Sequence, residues 1–358
     1  MNNGAKNGVR NGHTTIKDIA NIVGVSTATV SLVLSKNSRI SDETSRKVFE
    51  AVNNNSYRPS AAARSLVLNK TGNISLIVPQ LSRVFLQPFF ALSINGVYDA
   101  CIEKGYRVQI DVAGEEFVRT RKYLRLFQER VVDGMLYIGS TFSDTYLNEL
   151  PDEGYPFIFS GSYLKESKLS FVTGDNVSGG RMAVKHLLSV GRKKIAHIAG
   201  DFKVASAFDR FKGYKEALEE SGIEFNPALA VSCDFTEEGA FIAAQKVLAH
   251  NPDAVFAGND IMAAGVMKAL KEAGRKVPED VSVCGMDDIP SAALMKPALT
   301  TVRYRIYEMA HLAAKKLVDM IEGKITKKVG EVLPVELVIR ESCGGKRESG
   351  ITSQWSGS

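Results

Sequence analysis

Apolar positions recur in two different ways along this chain. Over residues 15–68 they fall at helical spacing in short blocks, and from residue 73 onward strand-length apolar runs alternate with amphipathic helical ones. In the first block Ile16, Ile19, Ala20 and Val23 share one helix face. Thr15 and Asp18 form a capping-box pair, and Gly24 permits a sharp exit. Ser26 is placed to cap a second helix from Thr27 to about Leu34. Val30 and Val33 would turn back onto the first helix, leaving Thr27, Ala28, Ser31 and Leu32 outward. Ser41 opens a third helix, with Asp42 and Glu43 where the helix dipole favours negative charge, and Val48, Phe49 and Val52 on its buried side. So few residues separate the first two helices that the pair reads as a helix-turn-helix. The alanine-rich run 60–68 is shorter than the ~12–15 residues an isolated helix needs in water, which predicts an element that forms fully only on docking.

Downstream, residues 74–79, 106–112, 134–139, 157–162, 194–200, 228–235, 254–260 and 281–288 read as buried strands. Amphipathic runs at 178–190, 210–221 and 239–250 lie between several of them. Such alternation predicts parallel sheets with helices on both faces, and about eight strands exceed one comfortable open sheet. The expected fold is therefore a small all-α helix-turn-helix domain with a short hinge helix, then an α/β core of two doubly wound lobes.

Charge sharpens the reading of the first block. Residues 1–71 hold ten Lys/Arg against four Asp/Glu, a net of +6, whereas the whole chain is +5. Positive charge is concentrated where phosphates would be met, which favours DNA contact over a neutral three-helix module. Cys101, Cys233, Cys284 and Cys343 are scattered with no C-x-x-C pair, suiting a reducing cytoplasm and no structural zinc. No secretory signal and no membrane-length apolar run is expected. The tails 1–13 and 342–358 are polar and glycine-rich, a composition that predicts disorder, and the second lacks the leucine heptad of a coiled-coil tetramer. Phosphate-loop, dinucleotide, zinc-hydrolase and nucleophile-elbow motifs are missing, so no catalytic residue, metal or cofactor is expected. His197, in an apolar strand, reads as a core residue rather than a base.

Ligands in open parallel sheets sit beyond the carboxyl ends of strands. Polar groups gather there: Asn259 and Asp260 end one strand, Asp287 and Asp288 the next, Arg210 begins a helix after Gly200, and Ser140 follows Gly139. Phe89, Phe90 and Phe235 add aromatic faces, a mixture suited to sugars. Asn-Asp and Asp-Asp after strands are also helix caps, and Asp260 and Asp288 are the expected cap-only members.

The segments TIKDIA, GVSTATVS, YRPSAAARSL, GNDIMAAG and PALTTV, in order over residues 15–341, resemble the lactose/galactose repressor (LacI/GalR) family. The resemblance implies a bacterial transcriptional regulator, by family habit a repressor. Its expected partners are double-stranded DNA with a palindromic operator, a second copy of the chain, and a sugar effector. It implies a DNA-binding domain at 14–58, a hinge at 59–71 and an effector core at 72–341. Within that core, 72–173 with 304–332 would form one lobe and 174–301 with 334–341 the other. The family's second helix enters the major groove, making Thr27, Ala28 and Leu32 base-reading candidates, with Ser31 on the same outward face and Thr15 at the first helix's start. Lys17, Thr29, Asn37, Tyr57 and Arg64 would meet phosphates or groove walls. In the hinge, Ala63 would contact the groove and Leu66 would wedge between base steps. The effector contacts implied are Phe89, Phe90, Ser140, Arg210, Phe235, Asn259 and Asp287. Three departures stand out. Leu32 replaces a hydrogen-bonding arginine or histidine and can only pack against groups such as a thymine methyl. Gln80, in a loop about four residues longer than usual, replaces an acid, and Gly161 stands where many relatives carry aspartate. Two rival readings are a periplasmic-type solute receptor without a DNA role, and a regulator with a purine-like effector.

Overall fold

The computed structural model describes residues 14–34, 40–55, 57, 70–81 and 84–344. The chain divides after Gly72 into two compact units.

The first unit contains helices α1 (Ile16–Val23), α2 (Thr27–Leu34) and α3 (Asp42–Asn54). The Thr15 capping box is present: its hydroxyl accepts from the Asp18 amide while the Asp18 carboxylate takes the Thr15 amide at 2.8 Å. The Ser26 hydroxyl accepts from the Thr29 amide at 3.0 Å, and Ser41 caps α3. Ile19, Ala20, Val30, Val33, Val48 and Ala51 form one buried cluster, with Tyr57 among them. Fully burying an aliphatic side chain of this size contributes roughly 1.5–3 kcal/mol, so these short helices are held by the shared face rather than by propensity. Two expectations are corrected. Phe49 is 40% exposed and Ala51 takes its place, because the helical neighbours of Val48 on the same face are three and four residues on. Tyr57 is core, 7% exposed, rather than a groove-wall side chain. The hinge run, Asn37 and residues 1–13 and 345–358 lie outside the described residues, whereas Ser342 and Cys343, expected to begin a disordered tail, are buried in a 3-10 turn.

The second unit holds two six-stranded sheets. The first is built from β1 (Asn73–Pro79), β2 (Arg107–Ala113), β3 (Gly134–Ile138), β4 (Phe157–Ser160), β5 (Ser170–Gly174) and β11 (Gly330–Leu333). Its order is β11-β5-β4-β3-β1-β2, and every pairing is parallel. The second contains β6 (Ile195–Ala199), β7 (Ala230–Ser232), β8 (Ala254–Ala257), β9 (Ser282–Asp287), β10 (Thr300–Arg303) and β12 (Glu336–Val338). Its order is β12-β10-β9-β8-β6-β7, with β12 antiparallel to β10. Two strands thus return from the C-terminal segment, β11 to the first sheet and β12 to the second.

Helices α4 (Pro88–Glu103), α8 (Asn176–Ser189), α9 (Ala205–Glu220), α10 (Glu237–Leu248), α11 (Asp260–Glu272) and α12 (Ile306–Ile321) are the longer covering elements. The shorter α5 (Glu115–Arg119), α6 (Lys122–Gln128) and α7 (Glu149–Asp152) lie within the first lobe. One apolar cluster joins both lobes, from Ile74 and Leu136 through Tyr214 to Met286, and separate clusters fill the remaining face of each sheet. The sequence pattern did not mark β5 or the strands after residue 300. The run 228–235 shrinks to the three residues of β7, preceded by the 3-10 turn Pro227–Leu229. Arg210 lies in the second turn of α9 rather than at its start.

Candidate functional site

On α2, Thr27 and Ala28 are exposed, and Thr29, Ser31 and Leu32 are half-buried beside the fully inward Val30 and Val33. Lys17 is exposed on α1. Two hydroxyls are already engaged: Thr15 donates to Asp18 at 2.7 Å and Thr29 lies 2.9 Å from Ser26 Oγ. Ala63, Arg64, Leu66 and Asn37 are outside the described residues.

In the second unit Arg210 is the centre of the polar constellation. It is only 4% exposed. Its Nε donates to Asn176 Oδ1 at 2.9 Å, Nη1 to the Gly258 carbonyl at 2.5 Å, and Nη2 to Asp287 Oδ1 at 3.1 Å. The guanidinium lies over the Tyr304 ring, 5.2 Å from its centre. Three of the five N–H groups are engaged among the described residues, and Asp287 Oδ2 has no protein partner there, so both groups retain capacity for a hydroxylated ligand. Burial outweighs the Arg210 charge and pushes the Asp287 carboxyl up to about 6.

The neighbouring backbone is strained where it presents these groups. Asp287 has φ 118°, Asp288 φ 56° and Phe235 φ 62°, values that side-chain-bearing residues rarely adopt. Such residues cost of order 1–3 kcal/mol each and persist only where the surrounding structure over-determines them. The Phe235 ring sits over Gly200, where an added Cβ would come within 2.1 Å of it. In the first lobe the Phe89 ring covers Gly161, where an added Cβ would meet it at 2.9 Å. The space an acid would take at 161 is therefore filled by an aromatic edge. Ser140 is fully buried and donates to Ser162 Oγ at 2.8 Å.

Four expectations change here. Phe90 is a core residue, 5% exposed, packed edge-on against Phe89. Asn259 is the helix cap: its side chain accepts from the Met262 amide at 2.8 Å. Asp260 is not the cap but is fully buried, accepting from Thr301 Oγ1 and from the Ile289 amide. Burial, followed by the charge of Asp287, raises its carboxyl well above the usual range. Asp288 does not cap either; it pairs with Arg303 at 2.7 Å and Arg340 at 2.6 Å.

The lobes meet at a set of contacts the pattern did not signal. Tyr163 Oη donates to Asp209 at 2.9 Å, and the Phe142 amide donates to the Lys203 carbonyl at 2.8 Å. Lys165 Nζ lies 4.2 Å from the Phe208 ring centre and 5.4 Å from that of Phe142. Behind them, the Tyr304 hydroxyl accepts from the Gly174 amide at 3.0 Å, and the Asp175 amide donates to Leu333 O at 2.9 Å, tying the crossovers together. Asn176 and Tyr304 went unrecognised because their flanking strands, β5 and β10, were missed. Tyr163 and Asp209 belong to different lobes, and one sequence alone does not pair them.

Comparison with known proteins follows the same division. Residues 15–60 match the model for bacterial regulatory proteins of the lacI family, and residues 184–343 match the periplasmic binding protein-like domain. The chain is 35% identical to the ribose operon repressor of Halalkalibacterium halodurans over 338 residues, covering 94% of this chain and 99% of that one. A CelR–cellobiose complex is similar with TM-score 0.72 and 32% identity, covering 92% and 99% of the two chains. A lac repressor dimer bound to operator and the anti-inducer ONPF is similar with TM-score 0.79 and 25% identity over the same shares. With its two units in this order, matched over nearly its whole length, the chain belongs to the LacI family of bacterial transcriptional regulators.

Proposed function

We propose that the protein is an operator-binding repressor whose DNA affinity is set by a sugar held between the two lobes of its core, and that it acts as a homodimer on a palindromic site. The observation that carries the effector half is the Arg210–Asn176–Asp287 constellation. Its guanidinium and carboxylate are buried and pre-oriented with unused hydrogen-bonding capacity, the guanidinium on α9 and the carboxylate at a strand end of positive φ. Arg210 and Asp287 take sugar hydroxyls, Phe235 and Phe89 cover C–H faces, and Gly161 removes one acid from the first lobe. Hydroxyl recognition therefore rests on the second lobe. In the first unit the outward face of α2, Thr27, Ala28, Ser31 and Leu32, reads base edges. Lys17, Thr15 and Thr29 approach the backbone. Arg64, Ala63 and Leu66 are assigned to the hinge and Asn37 to the phosphates on family grounds.

Coupling follows from differential binding. A ligand that prefers one lobe arrangement shifts DNA affinity only by the difference between its affinities for the two states. The test is a melting-temperature screen of the full chain against pentoses, hexoses, disaccharides and purines. A ligand at a hundredfold excess over its Kd stabilises the folded protein by about 2.7 kcal/mol. A shift with one sugar class that disappears in Arg210→Ala, itself checked for folding by its own melt, supports the assignment. A shift only with purines, or one unaffected by Arg210→Ala, contradicts it.

A further inference from the structure

The second sheet ends in a free edge. Among the described residues its outermost strand, β12, pairs only with β10, and Ile339 just beyond it is 47% exposed. An unpaired edge beside exposed apolar side chains is a template for other chains unless something covers it. An open groove of about 600 Å³ runs between β12 and α8, lined by the apolar side chains of Met182 and Leu337 with Ser178, Arg181 and Lys185 around them. Both cations already have carboxylate partners on α9. Arg181 lies 3.5 Å from Glu216 and 3.3 Å from Glu220, and Lys185 lies 2.5 Å from Glu220. The groove therefore suits an uncharged segment with apolar side chains better than an ionic ligand.

The chain leaves the core beside this groove. Its last described residue, Gly344, is exposed at φ 83° and turns the chain out of the 3-10 turn Glu341–Cys343. That turn is anchored: the Ser342 hydroxyl donates to the Val283 carbonyl at 2.6 Å and accepts from the Thr300 amide at 2.8 Å. Leu337, in the groove, pairs with Val302, two residues along β10 from Thr300. Two residues of strand span only about 7 Å.

Fourteen residues follow Gly344, and the last ten, SGITSQWSGS, carry no charged side chain. Ile351 lies seven residues and Trp355 eleven residues beyond Gly344. At about 3.3 Å per extended residue, either can reach any point along the ~21 Å of α8. Trp355 is the chain's only tryptophan, a large aromatic in an otherwise small and polar run. Such a ring gains by leaving water for an apolar surface.

We propose that residues 345–358 fold back over the α8–β12 groove of their own chain, anchored by Ile351 and Trp355 against Met182 and Leu337. Three observations meet in this assignment: an apolar groove whose charges are matched, an anchored exit about one residue pair away from it, and an uncharged tail end with two apolar side chains in reach. The composition of the tail predicts no structure in isolation, so its order comes from the groove. Docked there, it covers the free edge of the second sheet.

The single tryptophan makes the test direct. In the full-length protein, emission should lie to the blue of free N-acetyltryptophanamide, and acrylamide should quench it severalfold less. Met182→Asp, which puts a charge in the groove, should return both readings to the free values. Where that variant fails to fold, hydrogen exchange of wild type against the Ile351→Ser, Trp355→Ser double variant decides. Protection should fall at residues 178–189 and 336–339 and stay the same elsewhere. Wild-type emission and quenching equal to the free indole overturn the proposal, as does a folded Met182→Asp protein whose emission stays blue. A blue shift that vanishes as sedimentation shows dimer turning to monomer assigns the tail to a second copy and overturns it too. So does protection lost elsewhere in the core. None of these outcomes depends on what binds in the cleft.

Discussion

At the scale of single residues, Asp287, read from the sequence as an effector contact, sits in an unusual environment. Here it is a buried carboxyl at φ 118°, paired with Arg210 and still raised to about 6. The folded protein therefore binds this proton more tightly than the unfolded chain, whose carboxylate titrates near ~4. The stabilisation is complete below about pH 4 and is lost as pH rises through about 6. Melting curves from pH 4.5 to 7.5 should show the wild type losing stability relative to Asp287→Asn, by on the order of 2–3 kcal/mol across the window. Parallel curves would mean the carboxyl is not raised. Gly161 makes the second residue-scale prediction. It has φ 74°, with the Phe89 ring where a Cβ would go. Gly161→Ala should destabilise by about 1–3 kcal/mol, and Phe89→Leu in the same chain should recover part of the loss. Additive losses in a denaturant-melt cycle would show the two residues to be uncoupled.

At the scale of elements, the helix-turn-helix was legible because its signals are local. Thr15 with Asp18, Ser26 and Ser41 are caps readable within four residues, and Val30 and Val33 declare their face by spacing alone. Phe49 faces outward despite its bulk because it lies about 100° round the helix from Val48. In the core, strands buried on both faces were visible as apolar runs, such as β3 and β8. Ser170–Gly174 and Thr300–Arg303 escaped because serine and threonine interrupt the run, although Thr300 and Thr301 are fully buried with their hydroxyls bonded to Arg340 O and to Asp260. Missing those two strands also hid Asn176 and Tyr304, two partners of Arg210. Helix α2 makes the element-scale prediction. Leu32 is half-buried on the α2 face that carries Thr27 and Ala28. Leu32→Arg should change the preferred base at one position in each half-site of a selected consensus, because arginine can bond a guanine edge and leucine cannot. An identical consensus would remove Leu32 from base reading.

For the whole molecule, the central question is how the cleft communicates with DNA, and the contacts between the lobes are where it would begin. Tyr163–Asp209, Phe142–Lys203 and the Lys165 ammonium beside Phe142 and Phe208 join the lobes. Tyr163→Phe removes one hydrogen bond from this arrangement and leaves the ring. It should weaken sugar binding severalfold through faster dissociation, a loss of about 1 kcal/mol, with little change in operator affinity without sugar. Stopped-flow dissociation rates equal to wild type would show that the contact does not hold the lobes together.

The most direct measurement is operator affinity of the full-length protein by fluorescence anisotropy, at fixed salt, with and without saturating amounts of the sugar found by melting. The expected result is a change in operator Kd of about tenfold or more, equivalent to about 1.4 kcal/mol of coupling, that is lost in Arg210→Ala while random-sequence binding stays the same. A sugar that binds in the cleft yet leaves operator Kd unchanged would contradict the claim that this site controls the DNA-binding unit.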